Sequence, residues 1–257
     1  MMEAWLARRL AGRVVVLTGG AGGLGRAMAE GFVQAGARVA LVDVNEPALR
    51  AAAAQLDPGG DRILAVAADV TDPDAVRGGV ERVLASFGRI DALINNAAVT
   101  DLRHHPVRDL PPDVWNRILA VNLTGPFLMA RAVLPAMAAG GRGCIVNVTS
   151  VLGLRGFAHR GDAAYCSSKA GLEQLTEVMA KELRPEGINV NALCPVGRLR
   201  TGFFAHLPPE RQAELEDPSL AVEPAGFLAS LEPGTLTGRT VMMEWWHTNP
   251  EYRSQLV

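Results

Sequence analysis

A tyrosine and a lysine four residues apart, Tyr165 and Lys169, form a chemically specific pair. The apolar residues that follow recur at helical spacing, which predicts a helix with one buried face formed by Leu172, Leu175, Val178, Met179 and Leu183. Residues four apart on a helix share a face, so we expect the lysine charge to lower the tyrosine pKa from about 10 toward neutrality. Such a group would exchange protons near pH 7. Because the same spacing also occurs on exposed helices without function, the pair needs support from the rest of the chain.

A glycine-rich segment, Gly19 to Gly25, lies between a β-branched run ending at Thr18 and a segment with helical periodicity. Strand, glycine turn and helix is the context in which such a segment binds phosphate. Glycines let the backbone approach a pyrophosphate closely, and the helix N-terminus offers free N–H groups to it. The alternative is a glycine-rich turn without a ligand. The sequence favours phosphate binding because both flanking elements are present.

Asp43 ends the next predicted strand, at the position where a carboxylate commonly binds the ribose hydroxyls of a dinucleotide, about 20 residues after the glycine motif. A carboxylate here would repel a 2′-phosphate. No basic residue is available to receive one, since residue 44 is valine and residue 22 is glycine. The sequence therefore favours NAD over NADP. The alternative role for Asp43 is to cap the helix that starts near Asn45.

Six β-branched runs alternate with helical segments, and a short seventh run follows near residues 238–243. This pattern predicts one α/β domain over residues 1–257, built on a doubly wound, mainly parallel sheet of about seven strands. We expect a long apolar helix at 113–137 in which the buried Asn122 needs a hydrogen-bonding partner. Residues 197–220 are interpreted as a mobile substrate-loop insertion. The tail at 244–257 carries two tryptophans and is expected to dock on its own domain or on a neighbouring subunit.

Composition argues against several classes of partner. A net charge of −2 gives no reason to expect nucleic acid or an anionic membrane surface. No apolar run approaches the roughly 18 residues of a membrane helix, and the N-terminus lacks the apolar stretch of a signal peptide. The three cysteines have no paired spacing, which favours reduced thiols, a cytoplasmic location and no metal site. Adjacent His104 and His105 are interpreted as part of a solvated loop rather than as metal ligands.

Together these motifs resemble those of the short-chain dehydrogenase/reductase family, in its short, single-domain form. The resemblance is good over residues 10–201 and loose beyond. It is carried by the cofactor motif Thr18-Gly19-x-x-x-Gly23-x-Gly25, by Asp69-Val70, by Asn95-Asn96-Ala97, and by a catalytic set of Asn122, Ser150, Tyr165 and Lys169. The resemblance implies a three-layer Rossmann fold. It places the cofactor against Gly19, Gly23, Leu24, Gly25, Asp43, Asp69, Val70, Asn96, Ala97, Tyr165, Lys169, Pro195 and Thr201.

The same resemblance implies an NAD-dependent oxidoreductase that acts on a secondary alcohol or its ketone. In it Tyr165 would be the acid/base, Ser150 would bind the substrate oxygen, Lys169 would hold the nicotinamide ribose, and Asn122 would anchor a proton path. The family also implies a homodimer or homotetramer, formed through the helices that carry Asn122 and Tyr165. A hydrolase is disfavoured because the chain has no Gly-x-Ser-x-Gly elbow.

Three segments depart from the family pattern. Ala98 stands where glycine is usual, Pro195-Val196-Gly197 is one residue longer than the usual Pro-Gly, and the segment between Ser150 and Tyr165 is also longer. The changes at Ala98 and Val196 leave open an alternative, a dinucleotide-binding sensor or scaffold with little catalysis. The intact Ser150, Tyr165 and Lys169 argue for the enzyme.

Overall fold

The computed structural model describes residues 2–256. Its centre is a seven-stranded, all-parallel sheet in the order β3-β2-β1-β4-β5-β6-β7. The predicted doubly wound sheet is therefore confirmed. The strands are β1 Val14–Thr18, β2 Arg38–Asp43, β3 Ile63–Ala67, β4 Ala92–Asn95, β5 Gly143–Val148, β6 Ile188–Cys194 and β7 Thr240–Met242.

Helices cover both faces of the sheet and make three layers. They are α1 Met2–Leu10, α2 Gly23–Gln34, α3 Glu46–Leu56, α4 Pro73–Phe87, α5 Pro112–Leu119, α6 Gly125–Ala139, α7 Ala163–Leu183, α8 Pro209–Gln212, α9 Val222–Leu228, α10 Met243–Thr248 and α11 Pro250–Ser254. Helix α1 was not expected from the sequence. Short 3₁₀ turns lie at Val151–Gly153, Arg184–Glu186, Gly202–Phe204 and Pro218–Ala221.

The two faces of the sheet pack into separate apolar clusters. Successive residues of β1 alternate between them, with Val15 and Leu17 on one side and Val14 and Val16 on the other. This alternation follows from strand geometry and explains why the sequence of β1 is apolar throughout. Helices α1, α2, α3, α9 and α10 cover the first face, and α4, α6 and α7 cover the second.

The chain reverses direction across the sheet between β1 and β4. From β1 it continues to β2 and β3 on one side, and from β4 it continues to β5, β6 and β7 on the other. The loops after β1 and β4 therefore diverge and leave a crevice at the C-terminal edge of the sheet.

The long helix predicted at 113–137 is interrupted. Helices α5 and α6 are joined by one π-helical turn, Ala120–Thr124, which contains the buried Asn122. Periodicity could not show this, because a single wide turn leaves the apolar pattern on both sides intact.

The joined stretch Pro112–Ala139 is long and apolar enough, by length and composition alone, to cross a membrane, although no apolar run of that kind was expected from the sequence. Core helices of globular proteins meet the same criterion. In this stretch 39% of the most apolar 18-residue window is buried, and Met129, Val133 and Met137 pack in the second apolar cluster.

Helix α7 carries Tyr165 and Lys169 as predicted, but its apolar face is narrower than expected. Leu172, Met179 and Leu183 are buried, Leu175 is partly buried, and Val178 is 40% exposed. The prediction that Val178 is buried was wrong, because this residue lies on the side of α7 that no other described element covers fully.

The C-terminal tail docks on its own domain. Trp246 is 1% exposed, and its ring centroid lies 4.9 Å from that of Phe227 and 6.4 Å from that of Trp5. The neighbouring Trp245 is 48% exposed and contacts Tyr252 edge to face. The two adjacent tryptophans therefore have different surroundings, one in the core and one at the surface.

We expect Trp246→Ala to lower the free energy of unfolding by about 3–5 kcal/mol, because it leaves a large cavity between α1, α9 and the sheet. The matched change Trp245→Ala removes the same side chain from the surface and should cost about 1 kcal/mol or less. Urea unfolding followed by circular dichroism measures both. Equal losses in the two variants would contradict the docking of the tail on this domain.

Candidate active site

A cleft of about 720 Å³ opens at the C-terminal edge of the sheet. It extends from the glycine turn after β1 to the loops after β5 and β6. Eleven of the residues predicted to bind or react line it together: Gly19, Gly23, Leu24, Asp43, Asn96, Ala97, Ser150, Tyr165, Lys169, Pro195 and Thr201. The fold thus brings into one space residues that are widely separated in the chain.

Four predicted site residues lie outside the lining of this cleft: Gly25, Asp69, Val70 and Asn122. Gly25 packs against the carbonyl of Gly19. Both the backbone N–H and the hydroxyl of Thr71 donate to Oδ1 of Asp69, at 2.8 and 2.7 Å. Val70 is buried against Gly125: a Cβ added to Gly125 would lie 2.9 Å from the Cγ2 atom of Val70. Their predicted contacts with a cofactor remain predictions.

The glycine turn is held against the end of β4. The Thr18 hydroxyl accepts hydrogen bonds from the N–H groups of Asn96 and Ala97, both at 3.0 Å, and the Asn96 amide donates to the Thr18 carbonyl at 2.9 Å. Gly19 has φ of 67°, and a Cβ there would lie 2.9 Å from the Ala97 Cα. Glycine is therefore required where the turn meets β4.

The start of α2 fits a pyrophosphate. Gly22 is its N-cap and lines the cleft, and no side chain caps the first N–H groups of the helix. A Cβ added at Gly22 would meet no protein atom within 4 Å, so the space in front of the helix is open. Uncapped N–H groups together with the positive end of the helix dipole form an anion site. These residues fit the dinucleotide that the motif predicted.

Asp43 stands at the edge of the cleft beside this turn. Its carboxylate accepts hydrogen bonds from the N–H of Ala21 at 3.1 Å and from that of Asn45 at 3.0 Å. Asn45 itself caps α3, because its side chain accepts from the N–H of Ala48. The alternative role of Asp43 as the helix cap is therefore wrong, although it does bond to the capping residue.

Lys169 is almost completely buried beneath the tyrosine. Its Nζ donates to the Val148 carbonyl at 2.7 Å and lies 5.7 Å from the centre of the Tyr165 ring. Burial lowers the pKa of Lys169 to about 8. The ammonium therefore points to the end of β5 rather than to the phenol oxygen.

The expected fall in the tyrosine pKa is not found in this structure. Burial raises the pKa of Tyr165 to about 12, while the Ser150 hydroxyl partly opposes that rise and the Asp162 carboxylate adds to it. The prediction was wrong because it weighed the lysine charge and omitted the desolvation of the phenolate, which is the larger effect here.

Asn122 ties the loop after β4 to α7. Its Oδ1 accepts from the Val99 N–H at 2.8 Å, and its Nδ2 donates to the Val99 carbonyl at 2.9 Å and to the Ser168 hydroxyl at 3.1 Å. Ser168 in turn donates to the Tyr165 carbonyl at 2.7 Å. The π-turn places this amide in the core, and every polar atom of its side chain is satisfied.

The longer loop after β6 is held by a residue that the sequence analysis missed. Glu244, in α10, accepts hydrogen bonds from the N–H groups of Val196 at 2.8 Å and Gly197 at 2.7 Å. Thr201 still reaches the glycine turn, since a Cβ on Gly23 would lie 3.2 Å from the Thr201 Cβ. The extra residue is therefore accommodated by the C-terminal tail.

Each of the adjacent histidines His104 and His105 pairs with a carboxylate, and His104 also lines the cleft. The Nδ1 atom of His104 lies 2.8 Å from Oδ1 of Asp162, and that of His105 lies 2.7 Å from Oδ2 of Asp101. The interpretation as a solvated loop therefore missed two specific pairs. Across residues 2–256 no group of three or more His, Cys, Asp or Glu side chains is arranged to hold a metal ion.

Comparison with known proteins agrees with this geometry. A family model described as short chain dehydrogenase matches residues 13–212. A sorbitol dehydrogenase of Cereibacter sphaeroides is 43% identical over 188 residues, which cover 73% of this chain and 71% of that protein.

Solved structures extend the likeness to almost the whole chain. A structure from Beutenbergia cavernae with NADP bound at low occupancy has a TM-score of 0.82 and 32% identity, covering 93% of this chain and 98% of that one. The 3-ketoacyl-(acyl-carrier-protein) reductase of Brucella melitensis in complex with NADH has a TM-score of 0.83 and 31% identity, covering 91% and 97%. The chain belongs to the short-chain dehydrogenase/reductase family, whose members are oxidoreductases that use nicotinamide cofactors.

Proposed function

We propose that this protein is an NAD-dependent oxidoreductase that transfers a hydride between the nicotinamide cofactor and a secondary alcohol or its ketone. One observation carries the proposal. Ser150, Tyr165 and Lys169 line the same cleft that begins at the uncapped N-terminus of α2. A dinucleotide bound along this cleft would lie beside the hydroxyl groups needed for proton transfer. The likeness to a sorbitol dehydrogenase supports an alcohol as substrate.

In this proposal Tyr165 moves the proton. Because burial raises its pKa to about 12, the phenol holds its proton at neutral pH and can donate it to a ketone oxygen. Ser150 would hydrogen-bond the same oxygen, and Lys169 would bind the nicotinamide ribose. Asn122 would anchor the proton path from Lys169, a role suited to its bonds with Val99 and Ser168. When bound, the nicotinamide supplies or accepts the hydride.

The preference for NAD rests on Asp43. Its carboxylate lies at the end of β2, lines the cleft and bonds to the glycine turn, where it would repel a 2′-phosphate. Related structures hold either NADP or NADH, so the family likeness does not decide between the two cofactors. The proposed preference for NAD therefore depends on Asp43.

Assembly and location form part of the same proposal. Phe127 of α6 is 44% exposed and Val178 of α7 is also exposed, which supports a homodimer or homotetramer formed through these helices. Cys144, Cys166 and Cys194 are free thiols, which supports a reducing, cytoplasmic location. The partner we propose is a small alcohol or ketone.

A second candidate is a dinucleotide-binding protein without turnover. It is favoured by the raised pKa of Tyr165, since a phenol that keeps its proton is a poor base for alcohol oxidation. Ketone reduction separates the two candidates, because the protonated phenol is then the required form. NADH consumption with a panel of cyclic ketones supports the enzyme, and tight cofactor binding without consumption supports the alternative.

Tyr165→Phe should lower kcat at least about 10²-fold, because it removes the proton donor and keeps the ring. Cofactor affinity, measured by NADH fluorescence titration, should change less than about twofold. Tyr252→Phe is the matched control, since Tyr252 is the other tyrosine of the chain. It lies in the C-terminal tail, and its hydroxyl accepts a hydrogen bond from the N–H of Met242 in β7. Full activity in Tyr165→Phe would refute the proposed mechanism.

Asp43→Ala should reduce the preference for NAD over NADP by about 10- to 100-fold, equivalent to about 1.4–2.7 kcal/mol, because the repelling carboxylate is gone. Asp43→Asn keeps the size of the side chain and one of the two acceptor oxygens that the N–H groups of Ala21 and Asn45 use, and it removes the charge, so it should give a similar shift. Titration with both cofactors measures the ratio of affinities. If that ratio stays constant in both variants, Asp43 does not select the cofactor.

A further inference from the structure

The backbone at His104 adopts a conformation that side chains normally avoid. Its φ is 51°, and it is the one residue other than glycine with positive φ among residues 2–256. A left-handed backbone conformation is strained for a residue with a side chain, because its Cβ crowds the following carbonyl oxygen. Strain of this kind persists where surrounding contacts impose it, and it is concentrated at functional sites.

Contacts from two loops impose this conformation. On one side Asp101 is buried and accepts hydrogen bonds from the N–H groups of Arg103 at 3.0 Å and His105 at 2.9 Å. On the other, Gly161 packs so closely that an added Cβ would lie 2.8 Å from the Cβ of His104. The loop after β4 and the loop before α7 are therefore locked together at His104.

The contact that results is between His104 and Asp162. Asp162 is 6% exposed and is the N-cap residue of α7, yet its side chain makes no capping hydrogen bond. Its Oδ1 lies 2.8 Å from Nδ1 of His104 instead, and its Oδ2 lies 3.8 Å from Nδ1 of His159. The carboxylate of this N-cap residue therefore orients an imidazole instead of capping the helix.

This pairing decides which ring atom is free. An ionised carboxylate can only accept, so Nδ1 of His104 carries the hydrogen, and in the neutral ring Nε2 is an acceptor. His104 and Asp162 both line the cleft that contains Tyr165, and Asp162 precedes Tyr165 by one helical turn. His159 and Arg160 also line the cleft, and both are exposed. The cleft lining also includes apolar side chains, with the polar His206 and Arg198 among them: Leu102, Leu152, Phe203, Phe204 and Leu207.

We propose that His104, oriented by Asp162, determines specificity by accepting a hydrogen bond from a second hydroxyl group of the substrate. The reacting hydroxyl would lie at Ser150 and Tyr165, and the second would lie at Nε2 of His104. The favoured substrates are then diols and polyols rather than simple alcohols. This inference rests on the proposed function, because it assumes that an alcohol is oxidised at Tyr165.

The test compares substrates that differ in one hydroxyl group. The probes are cyclohexanol against the cis and trans isomers of 1,2-, 1,3- and 1,4-cyclohexanediol, and 2-hexanol against sorbitol, each with NAD and with NADP. NADH or NADPH absorbance gives kcat and KM separately. Wild-type kcat/KM should be at least tenfold higher for the best diol or polyol than for its monohydroxy partner.

Two variants separate the hydrogen bond from the fold. His104→Asn keeps a residue that tolerates positive φ and an amide that can donate to Asp162, but it has no atom at the Nε2 position. It should lower kcat/KM for the best diol or polyol by 10- to 100-fold, mainly through KM, while kcat/KM for the monohydroxy partner changes less than twofold. His104→Gln, whose amide reaches further, should recover part of the loss.

His105→Asn is the matched control, because the adjacent histidine pairs with Asp101 and does not line the cleft. It should leave the ratio of diol to monohydroxy activity unchanged. Equal losses for both substrate types in His104→Asn would show a structural role and overturn the inference, as would a wild type without preference for diols. Both results leave the proposed function intact. Turnover of the cyclic ketones without turnover of any diol or polyol leaves the proposed function intact and overturns the inference. Absence of turnover with every alcohol, and with the cyclic ketones, overturns both together.

Discussion

The hydrogen bonds between Thr18 and Asn96 fix the distance on which the rest of the site depends. They join the ends of β1 and β4, the two strands between which the chain reverses direction. With these ends held together, the glycine turn approaches β4 closely and the first N–H groups of α2 face the cleft. The loop after β4 then starts from a fixed point, and through Val99 and Asn122 it is linked to the helix that carries Tyr165.

Burial, rather than the proximity of opposite charges, sets the electrostatics of the reactive pair. Lys169 is buried and Tyr165 is half-buried at the cleft, and each pKa moves in the direction that favours the neutral form. The lysine is positioned by the carbonyl at the end of β5, and the tyrosine faces the cleft. The protein therefore presents a protonated phenol at neutral pH, the form required of a proton donor.

Long-range contacts hold the segments that depart from the family pattern. The extra residue after β6 is fixed by Glu244 from the tail, and the tail is itself anchored by Trp246 in the core. The longer segment before α7 contains Gly161 and Asp162, which hold His104 in its strained conformation. The additional length thus builds one wall of the cleft and brings a second hydrogen-bonding group to it.

The sequence by itself determined those features that depend on near neighbours along the chain. Alternating strands and helices, the glycine turn, Asp43 at a strand end, and Tyr165 one turn before Lys169 could all be predicted, because backbone periodicity and turn chemistry are local. Tertiary structure decided the π-turn at Asn122, the exposure of Val178, the different surroundings of Trp245 and Trp246, and the pKa of Tyr165. It also decided the bonds of His104 to Asp162 and of Glu244 to Val196, which join residues 58 and 48 positions apart. Desolvation and long-range pairing depend on which surfaces meet when the sheet closes, and no local pattern records that.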